Sequence, residues 1–207
     1  MAKASRMNVS IQVMGLKQAQ KQLAAQGKKV DSVLRGALNS TATKSRTERY
    51  VKPMSKLFKS SVLGSRLGNA DVRGKLTIKR ARKGRMNSRI IPSSSSVRVD
   101  DYRRWVFEVL APTRARVYVY GLRGRKVAAG FVNPASSRAV PLRTRGSRTS
   151  ARGKTYTTKK ALSAALGPSA AYWFKQLTTT QTIKWTTDFL QEEFAKRMQK
   201  ELDKAAK

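Results

Sequence analysis

The sequence contains neither cysteine nor histidine. Without cysteine, the chain can form no disulfide and no zinc site built on thiolates. Without histidine, it lacks the commonest general base and the commonest metal ligand. It also has no apolar run of the roughly 18 residues that a membrane-spanning helix needs, and its N-terminal apolar stretch is too short for a signal peptide. These absences predict a protein that is made in the cytoplasm and does not enter a membrane.

Acidic residues are scarce as well, since 11 Asp and Glu stand against 45 Lys and Arg. Three scattered acids, Asp71, Asp100 and Glu108, offer ligands for the metal site of a nuclease, but surface or structural roles are the stronger interpretation. The glycines of "GLRGRKVAAG" do not match the G-x-G-x-x-G spacing of a phosphate-binding loop. We therefore expect a protein that is not an enzyme and that uses no metal or cofactor.

The net charge of +34 is the strongest functional indicator in the sequence. A compact monomer with that charge repels itself and attracts polyanions such as DNA, RNA or an anionic membrane, of which nucleic acid is the favoured partner. The sequence has no zinc finger, no basic region joined to heptads and no RNP-like aromatic motif. It therefore predicts contact with a phosphate backbone rather than base-specific recognition.

A helix with a narrow face of small residues is predicted from the three- and four-residue spacing that begins at Val30. Such a face lets another element approach closely. Two interpretations stay open: an ordinary core-facing helix, which we favour, and a seam between subunits. The helix is expected to end before Pro53, because the residue before a proline avoids the helical conformation. The residues of the candidate seam are Val30, Leu34, Ala37, Leu38 and Thr41.

The remaining pattern predicts an α+β fold with N-terminal helices, a central antiparallel sheet of about four strands and a long C-terminal helix. Val9, Ile11 and Val13 alternate as in a short strand, and helix formers follow from Leu16. "KLTIKR" and "RIIPSSSSVRV" are weaker strand signals. "RRWVFEVLAP" and "RARVYVYG" are the strongest, and the short "APTR" between them predicts a hairpin. A long amphipathic helix is predicted from Thr180.

The segment from Gly121 to about Ser163 lacks such a pattern and is predicted to be a long basic arm or loop. It belongs to the stretch between Glu108 and Asp188, in which fifteen Lys and Arg occur without a single acid. Arginines spaced by Gly, Ser and Thr can follow a phosphate backbone or contact acidic neighbouring proteins. The candidate contact residues are Arg123, Arg125, Lys126, Arg138, Arg143, Arg145, Arg148, Arg152 and Lys154.

The order of these segments resembles the minor tail protein Z family of long-tailed phages, also called tail completion proteins. The stretch "VMGLKQAQKQLAAQGKKVDSVLRGALNSTATKSRTE" is similar to the opening of that family. There, a short strand ends in Gly-Leu, matched by Gly15 and Leu16, and a first helix follows, matched at Leu23. A helix rich in Ala, Asn and Ser comes next, matched by residues 37–42. "FLQEEFAKRMQKEL" resembles the family's long C-terminal helix, so the resemblance covers nearly the full chain.

The resemblance implies a single domain over residues 1–207 and a structural role in the virion. Proteins of this family are expected to form a ring, with sixfold symmetry, between the head-to-tail connector and the tail tube. The implied partners are further copies of the chain, connector or neck proteins, tail terminator or tail tube proteins, and DNA in the channel. A non-specific nucleic-acid-binding protein of the ribosome or nucleoid stays open as the alternative.

Overall fold

The computed structural model confirms the α+β class, with helices first and last in the element order and a mainly antiparallel sheet between them. The predicted strand around Val9 and Ile11 lies outside the described residues. The structure describes residues 13–24, 30–58, 75–112, 114–144, 148–149, 155–156 and 162–204.

The described residues fall into two compact units. The first takes its described parts from Met1–Lys52, Arg73–Pro92 and Phe174–Lys207. The second takes its described parts from Pro53–Val72 and Ser93–Trp173. Each unit has its own core, and each is described separately below.

Helices α1, α2 and α5 begin where the sequence predicts them. Helix α1 follows directly on Gly15, whose φ of 73° is a conformation that glycine adopts without strain. The last helix is capped by Thr179, whose side-chain oxygen accepts from the Thr182 N–H at 3.3 Å. The helix bounds are Leu16–Ala24 (α1), Val30–Ser45 (α2), Lys52–Ser55 (α3), Ala170–Leu177 (α4) and Thr180–Asp203 (α5).

Helices α2 and α5 form the core of the first unit. Burial of each large apolar side chain stabilises the fold by about 1.5–3 kcal/mol. Arg197 of α5 also lies across α2, where its Nη2 donates to Ser40 Oγ at 2.8 Å. A Cβ atom at Gly36 would lie 2.6 Å from Arg197 Nη1, so the glycine leaves room for this guanidinium. The residues of the two helices that form this core cluster are Val30, Val33, Ala37, Leu190, Phe194 and Met198.

The helical path does not end before Pro53, contrary to the sequence prediction. A π-helical turn, Arg46–Val51, leads into α3, and Lys52 has helical angles (φ −58°, ψ −48°) although it precedes proline. The Lys52 N–H bonds to the carbonyl of Thr47, five residues back. In a regular α-helix the proline ring would clash with the carbonyl four residues back. The wider π-helical turn is the local change that accompanies the inclusion of Pro53 in the helical path.

A two-stranded hairpin completes the first unit. Its strands β1 (Leu76–Lys79) and β2 (Arg89–Pro92) pair antiparallel, which confirms the strands predicted from "KLTIKR" and "RIIPSSSSVRV". Asn39 of α2 binds the segment after β1 twice. Its Nδ2 donates to the Ala81 carbonyl at 3.1 Å, and its Oδ1 accepts from the Ala81 N–H at 2.8 Å. The amide side chain therefore ties the hairpin to the helix as a neighbouring backbone would.

A seven-stranded sheet dominates the second unit, larger than the four strands predicted. Phe107 lies opposite Val117, which confirms the predicted hairpin between β4 and β5. A separate pair, β8 (Arg148–Thr149) and β9 (Thr155–Tyr156), lies outside this sheet. The strands of the sheet are Ser96–Arg98 (β3), Trp105–Ala111 (β4), Arg114–Tyr120 (β5), Arg125–Val132 (β6), Leu142–Thr144 (β7), Leu162–Ala164 (β10) and Leu166–Ser169 (β11).

Strand β6 corrects the prediction of a loop from Gly121 onwards. It pairs with β5 on one side and with both β7 and β11 on the other. The sheet therefore divides beyond β6 into a β7–β10 branch and a β11–β3 branch. Gly130 lies at this division, where an added Cβ would be 2.3 Å from Ala165 Cβ and 2.7 Å from the Leu142 carbonyl oxygen. Glycine is typical of loops, but at this position its lack of a side chain permits close packing inside a sheet.

Tyr102 and Trp173 lie in the core of the second unit. The Tyr102 hydroxyl donates to the Pro168 carbonyl at 2.6 Å and accepts from Trp173 Nε1 at 3.0 Å. Burial raises the pKa of Tyr102 above its usual range, because a buried phenolate would lose its hydration. The Trp173 ring covers Gly121, where a Cβ would lie 2.2 Å from it. The two polar groups of this core therefore satisfy each other.

Candidate polyanion-binding surface

Strand β5 presents two different faces, because successive side chains of a strand point to opposite sides of the sheet. Ala115, Val117 and Val119 are buried. Arg116, which is exposed, and the half-buried Tyr118 and Tyr120 alternate with them. We call the surface on this second side the outer face. It includes Glu108, Arg116, Tyr118, Tyr120, Arg125 and Val127, which the register of β4, β5 and β6 brings to one side, and Arg104, which lies over the Tyr120 ring.

Each tyrosine of the outer face carries a guanidinium group over its ring. Arg125 Cζ lies 5.1 Å from the ring centroid of Tyr118, and Arg104 Cζ lies 4.5 Å from that of Tyr120. Such a cation–π contact contributes about 0.5–1 kcal/mol at an exposed site. The contact restricts two long side chains that would otherwise move freely in solvent. The entropy cost of placing these arginines on a bound anion is correspondingly smaller.

Glu108 is the only acid among these described residues of the outer face. The Tyr118 hydroxyl donates to Glu108 Oε2 at 2.8 Å, and Glu108 lies opposite Arg116 in the β4–β5 register. The carboxylate therefore holds a tyrosine that in turn supports Arg125. The outer face has three arginines against this one acid, and its charge is positive.

The arrangement suits an extended anion with several charges. Arg116 and Tyr120 are four residues apart, which is about 14 Å along a strand. One nucleic-acid strand carries a phosphate every 3.4 Å or so of B-form axis, so several phosphates fit this length. Arginine stays charged at every physiological pH and binds phosphate or carboxylate through two N–H groups at once. The surface can therefore bind such groups, and this binding involves no catalysed reaction.

Three of the predicted contact residues lie around the start of β6. Arg125 is exposed on the outer face, opposite Tyr120. Lys126 follows it on the opposite side of the strand, half-buried and opposite Val119. Arg123 is exposed in the turn between β5 and β6. Only Arg125 of these three belongs to the outer face.

The other predicted contact residues do not join this surface. Arg138 is exposed between β6 and β7. Arg143 is a half-buried residue of β7 whose Nε donates to Ser163 Oγ at 3.0 Å, so it braces the β7–β10 pair. Arg148 opens β8, and its side chain is outside the described part of the chain. Arg145, Arg152 and Lys154 are also outside the described residues.

The sequence analysis missed Arg104, Arg116, Tyr118 and Tyr120 as site residues. The signal was present in "RARVYVYG", because strict alternation places Arg116 with the two tyrosines and opposite the small apolar residues. The strand itself was predicted from its β-branched and aromatic residues, and the alternation was not followed to its polar face. Arg104 carried no such signal, because it precedes β4 and joins Tyr120 only through the strand pairing.

The candidate seam on α2 is corrected by the structure. Val30, Ala37 and Thr41 are buried, and Leu34 and Leu38 are partly buried against the same core. Helix α5 of the same chain supplies the packing partners on this face. The burial of these five residues supports the core-facing interpretation of α2.

The scattered acids have separate surroundings. Asp100 Oδ2 lies 3.4 Å from Arg98 Nη2, Glu108 accepts from Tyr118, and Asp71 is outside the described residues. In the described part of the chain, no three acids come close enough together to hold a metal ion.

The helices of the described residues include none that is both long and apolar enough to span a membrane. No protein-family model matches the chain, and no curated protein or solved structure is significantly similar to it.

Proposed function

We propose that this protein is a structural component of the phage neck or tail top. Its copies form a ring that joins the head-to-tail connector to the tail and contacts the DNA in the channel. The resemblance of the segment order to tail completion proteins supports this role. The basic outer face supplies a surface with which such a ring contacts DNA phosphates.

One observation carries the proposal: the positive charge cannot be neutralised within the chain. Even if every acid paired with one base, 11 acids would leave 34 of the 45 Lys and Arg without an acidic partner. Self-repulsion of this size destabilises a compact monomer. A polyanion bound throughout the life of the protein removes that cost, and packaged DNA is such a polyanion.

The assembly role is tested by co-expressing the tagged full-length protein with the connector and tail proteins encoded beside it. We expect a stable complex in light scattering and a ring in negative-stain images, after nuclease digestion has removed nucleic acid. A chain that stays monomeric with each virion partner, and yet binds duplex DNA, would overturn the neck assignment.

The DNA contact is tested by replacing Arg104, Arg116 and Arg125 with glutamine. Binding of a fluorescent duplex is then measured by anisotropy across a salt series. We expect the log–log salt slope to become shallower by about 2.7, because each neutralised phosphate contributes about 0.9. Equal salt slopes for the variant and the parent protein would show that DNA does not bind at the outer face.

A matched control separates location from total charge. Lys17, Lys21 and Lys184 are exposed in the first unit, and changing all three to glutamine removes the same +3. We expect this control to lower DNA affinity less and to keep more of the parent salt slope. The same loss of DNA affinity in both triple variants would mean that binding depends only on the net charge.

A non-specific nucleic-acid-binding protein of the ribosome or nucleoid is the second candidate. The paired arginines and tyrosines favour it, because both side-chain types stack on exposed bases of single strands. This candidate predicts binding of RNA or single-stranded DNA at least as tight as that of duplex, and no association with virion proteins. The same anisotropy and co-expression experiments distinguish the two candidates.

A further inference from the structure

Two of the strands that end the seven-stranded sheet differ from the others in charge. Among the described residues, β4 pairs only with β5, β10 only with β7, and β3 only with β11. Strands β5, β6 and β7 all carry Arg or Lys, and the β3 edge carries Arg98. Strands β4, "WVFEVLA", and β10, "LSA", carry none, and neither does β11, "LGPS", which is paired on both sides. The positive charge of the chain is thus missing at two sheet edges.

Charge at a sheet edge normally prevents association. Natural proteins place lysines and other charges on edge strands because an unpaired edge is a template for another strand. A chain with 45 Lys and Arg has ample charge for this protection. Lysine and arginine are absent from both β4 and β10, while β3 keeps an arginine, so these two edges lack the positive charge that would repel another copy.

The same two edges expose large apolar side chains. Val109 is 57% exposed and Leu110 48% exposed on β4, where Phe107 is 37% exposed. Leu162 on β10 is 58% exposed. Burial of apolar surface of this kind favours association, because it removes that surface from water. Both edges therefore offer backbone groups and apolar side chains without like charge between them.

We propose that β4 of one copy pairs with β10 of the next copy, so that the sheet continues from subunit to subunit. The inference deepens the proposed ring and rests on it. Two copies that each carry +34 repel each other least where the positive charge is absent, and one chain supplies both such edges. If a strand of a different protein paired with β4, the similar edge at β10 would still lack a partner.

Pairing of β4 with β10 fits the charges better than pairing of β4 with itself. In a two-fold β4–β4 contact, Glu108 of one copy comes close to Glu108 of the other, and like charges across a strand pair destabilise it. Strand β10 is uncharged and avoids this repulsion. A contact between two different surfaces of the same chain also repeats head to tail, which closes into a ring when the rotation permits.

Site-specific cross-linking tests the contact directly, because the chain has no cysteine of its own. Val109→Cys and Leu162→Cys are made in the full-length protein and treated with a short bismaleimide, which tolerates an offset of one strand position. A mixture of the two variants is expected to give dimers, and the double variant a ladder of oligomers. Duplex DNA is present in a parallel set, because it neutralises the charge that opposes assembly.

The exposed Val127 provides the control, since it lies on the outer face of the internal strand β6. Val127→Cys mixed with Leu162→Cys is expected to give only background cross-linking. Cross-linking of Val109→Cys with itself above that background would indicate a two-fold β4 contact and overturn the proposal. Background cross-linking of the Val109 and Leu162 pair, with and without DNA, would also overturn it.

Charge insertion separates this contact from the proposed function. Val109→Lys and Leu162→Lys are each expected to abolish the oligomer in light scattering, whereas Met14→Lys, at a 79% exposed residue of the first unit, leaves it intact; circular dichroism verifies the fold of all three. Oligomers that persist in both edge variants would refute the β4–β10 contact and leave the neck role standing. An edge-linked ring that binds no virion protein would refute the neck role and leave the contact standing.

Discussion

The two faces of the β4–β5–β6 strands have the same backbone and opposite chemistry. The inner face of β5 consists of small apolar residues that are fully buried, and the outer face consists of arginines supported by tyrosines. Apolar side chains on one face stabilise the second unit, so the other face is free to hold charge. Substitutions of inner-face residues should therefore change stability, whereas substitutions of the charged outer-face residues should change DNA binding.

The largest effect is expected where the inner packing leaves no space. Gly130→Ala puts a Cβ within 2.3 Å of Ala165 Cβ and 2.7 Å of a backbone oxygen that cannot move away cheaply. We expect a loss of about 4 kcal/mol or more in the free energy of unfolding, at the upper end of single substitutions. Chemical denaturation measures this loss. Ala129→Val, at the exposed neighbouring position, serves as the control and should change stability by less than about 0.5 kcal/mol.

A smaller loss is expected from Tyr102→Phe. The change removes the acceptor of the buried Trp173 N–H and the donor to the Pro168 carbonyl, which costs about 1–3 kcal/mol at neutral pH. Denaturation monitored by tryptophan fluorescence gives the value. Unchanged stability would show that water replaces the hydroxyl in both hydrogen bonds.

The same pair of proteins gives a pH test with a defined sign. The raised pKa of Tyr102 keeps it neutral in the folded chain, whereas an unfolded tyrosine ionises near pH 10. Its contribution is fully present below pH 10 or so and is lost as the pH rises further, because ionisation first favours the unfolded chain. The gap in stability between the parent protein and the phenylalanine variant should therefore narrow above that pH. A constant gap would contradict burial of the hydroxyl.

Two valines, one on each face, allow a direct comparison between the faces. Val117 is fully buried on the inner face, and Val127 is 62% exposed on the outer face. Val117→Ala should cost about 2 kcal/mol, because two buried methyl groups are lost and a cavity remains. Val127→Ala should cost less than about 0.5 kcal/mol. Equal costs in thermal denaturation would contradict the assignment of the faces.

The smallest effect is expected from Glu108→Gln. Removing the acid of the outer face should raise duplex affinity about two- to threefold at low salt. The gain should fade above roughly 0.1 M salt, where charges more than about 10 Å apart are screened. Fluorescence anisotropy measures both values, with Asp203→Asn on α5 as the control for net charge. Equal gains in the two variants would contradict a local effect at the outer face.

Local patterns in the sequence were sufficient for helices α1, α2 and α5 and for the first hairpin of the large sheet. The three- and four-residue spacing predicted α2 and α5, and dense β-branched and aromatic residues predicted β4 and β5. Strand β6, with its sequence "RKVAAGFV", contains Ala, Gly and Lys, which are depleted in strands. It forms because strands pair with it on both sides, and no local pattern contains that information.

The candidate surface was predictable only in part. Arg125 was named from the basic composition, and Arg116 could have been named from the alternation in β5. Arg143 was assigned to polyanion contact, whereas its hydrogen bond to Ser163 gives it a bracing role between two strands. The small-residue face of α2 allowed two interpretations, and the position of α5 decided between them.

The sequence by itself determined the excess of positive charge, helices α1, α2 and α5, and the apolar side of each strong strand. These properties depend on composition and on neighbours within a few residues, so they need no knowledge of distant contacts. Only the tertiary structure decided which arginines share a surface and which sheet edges lack charge. Both follow from pairing between strands far apart in the chain, where the register sets the neighbours of each side chain.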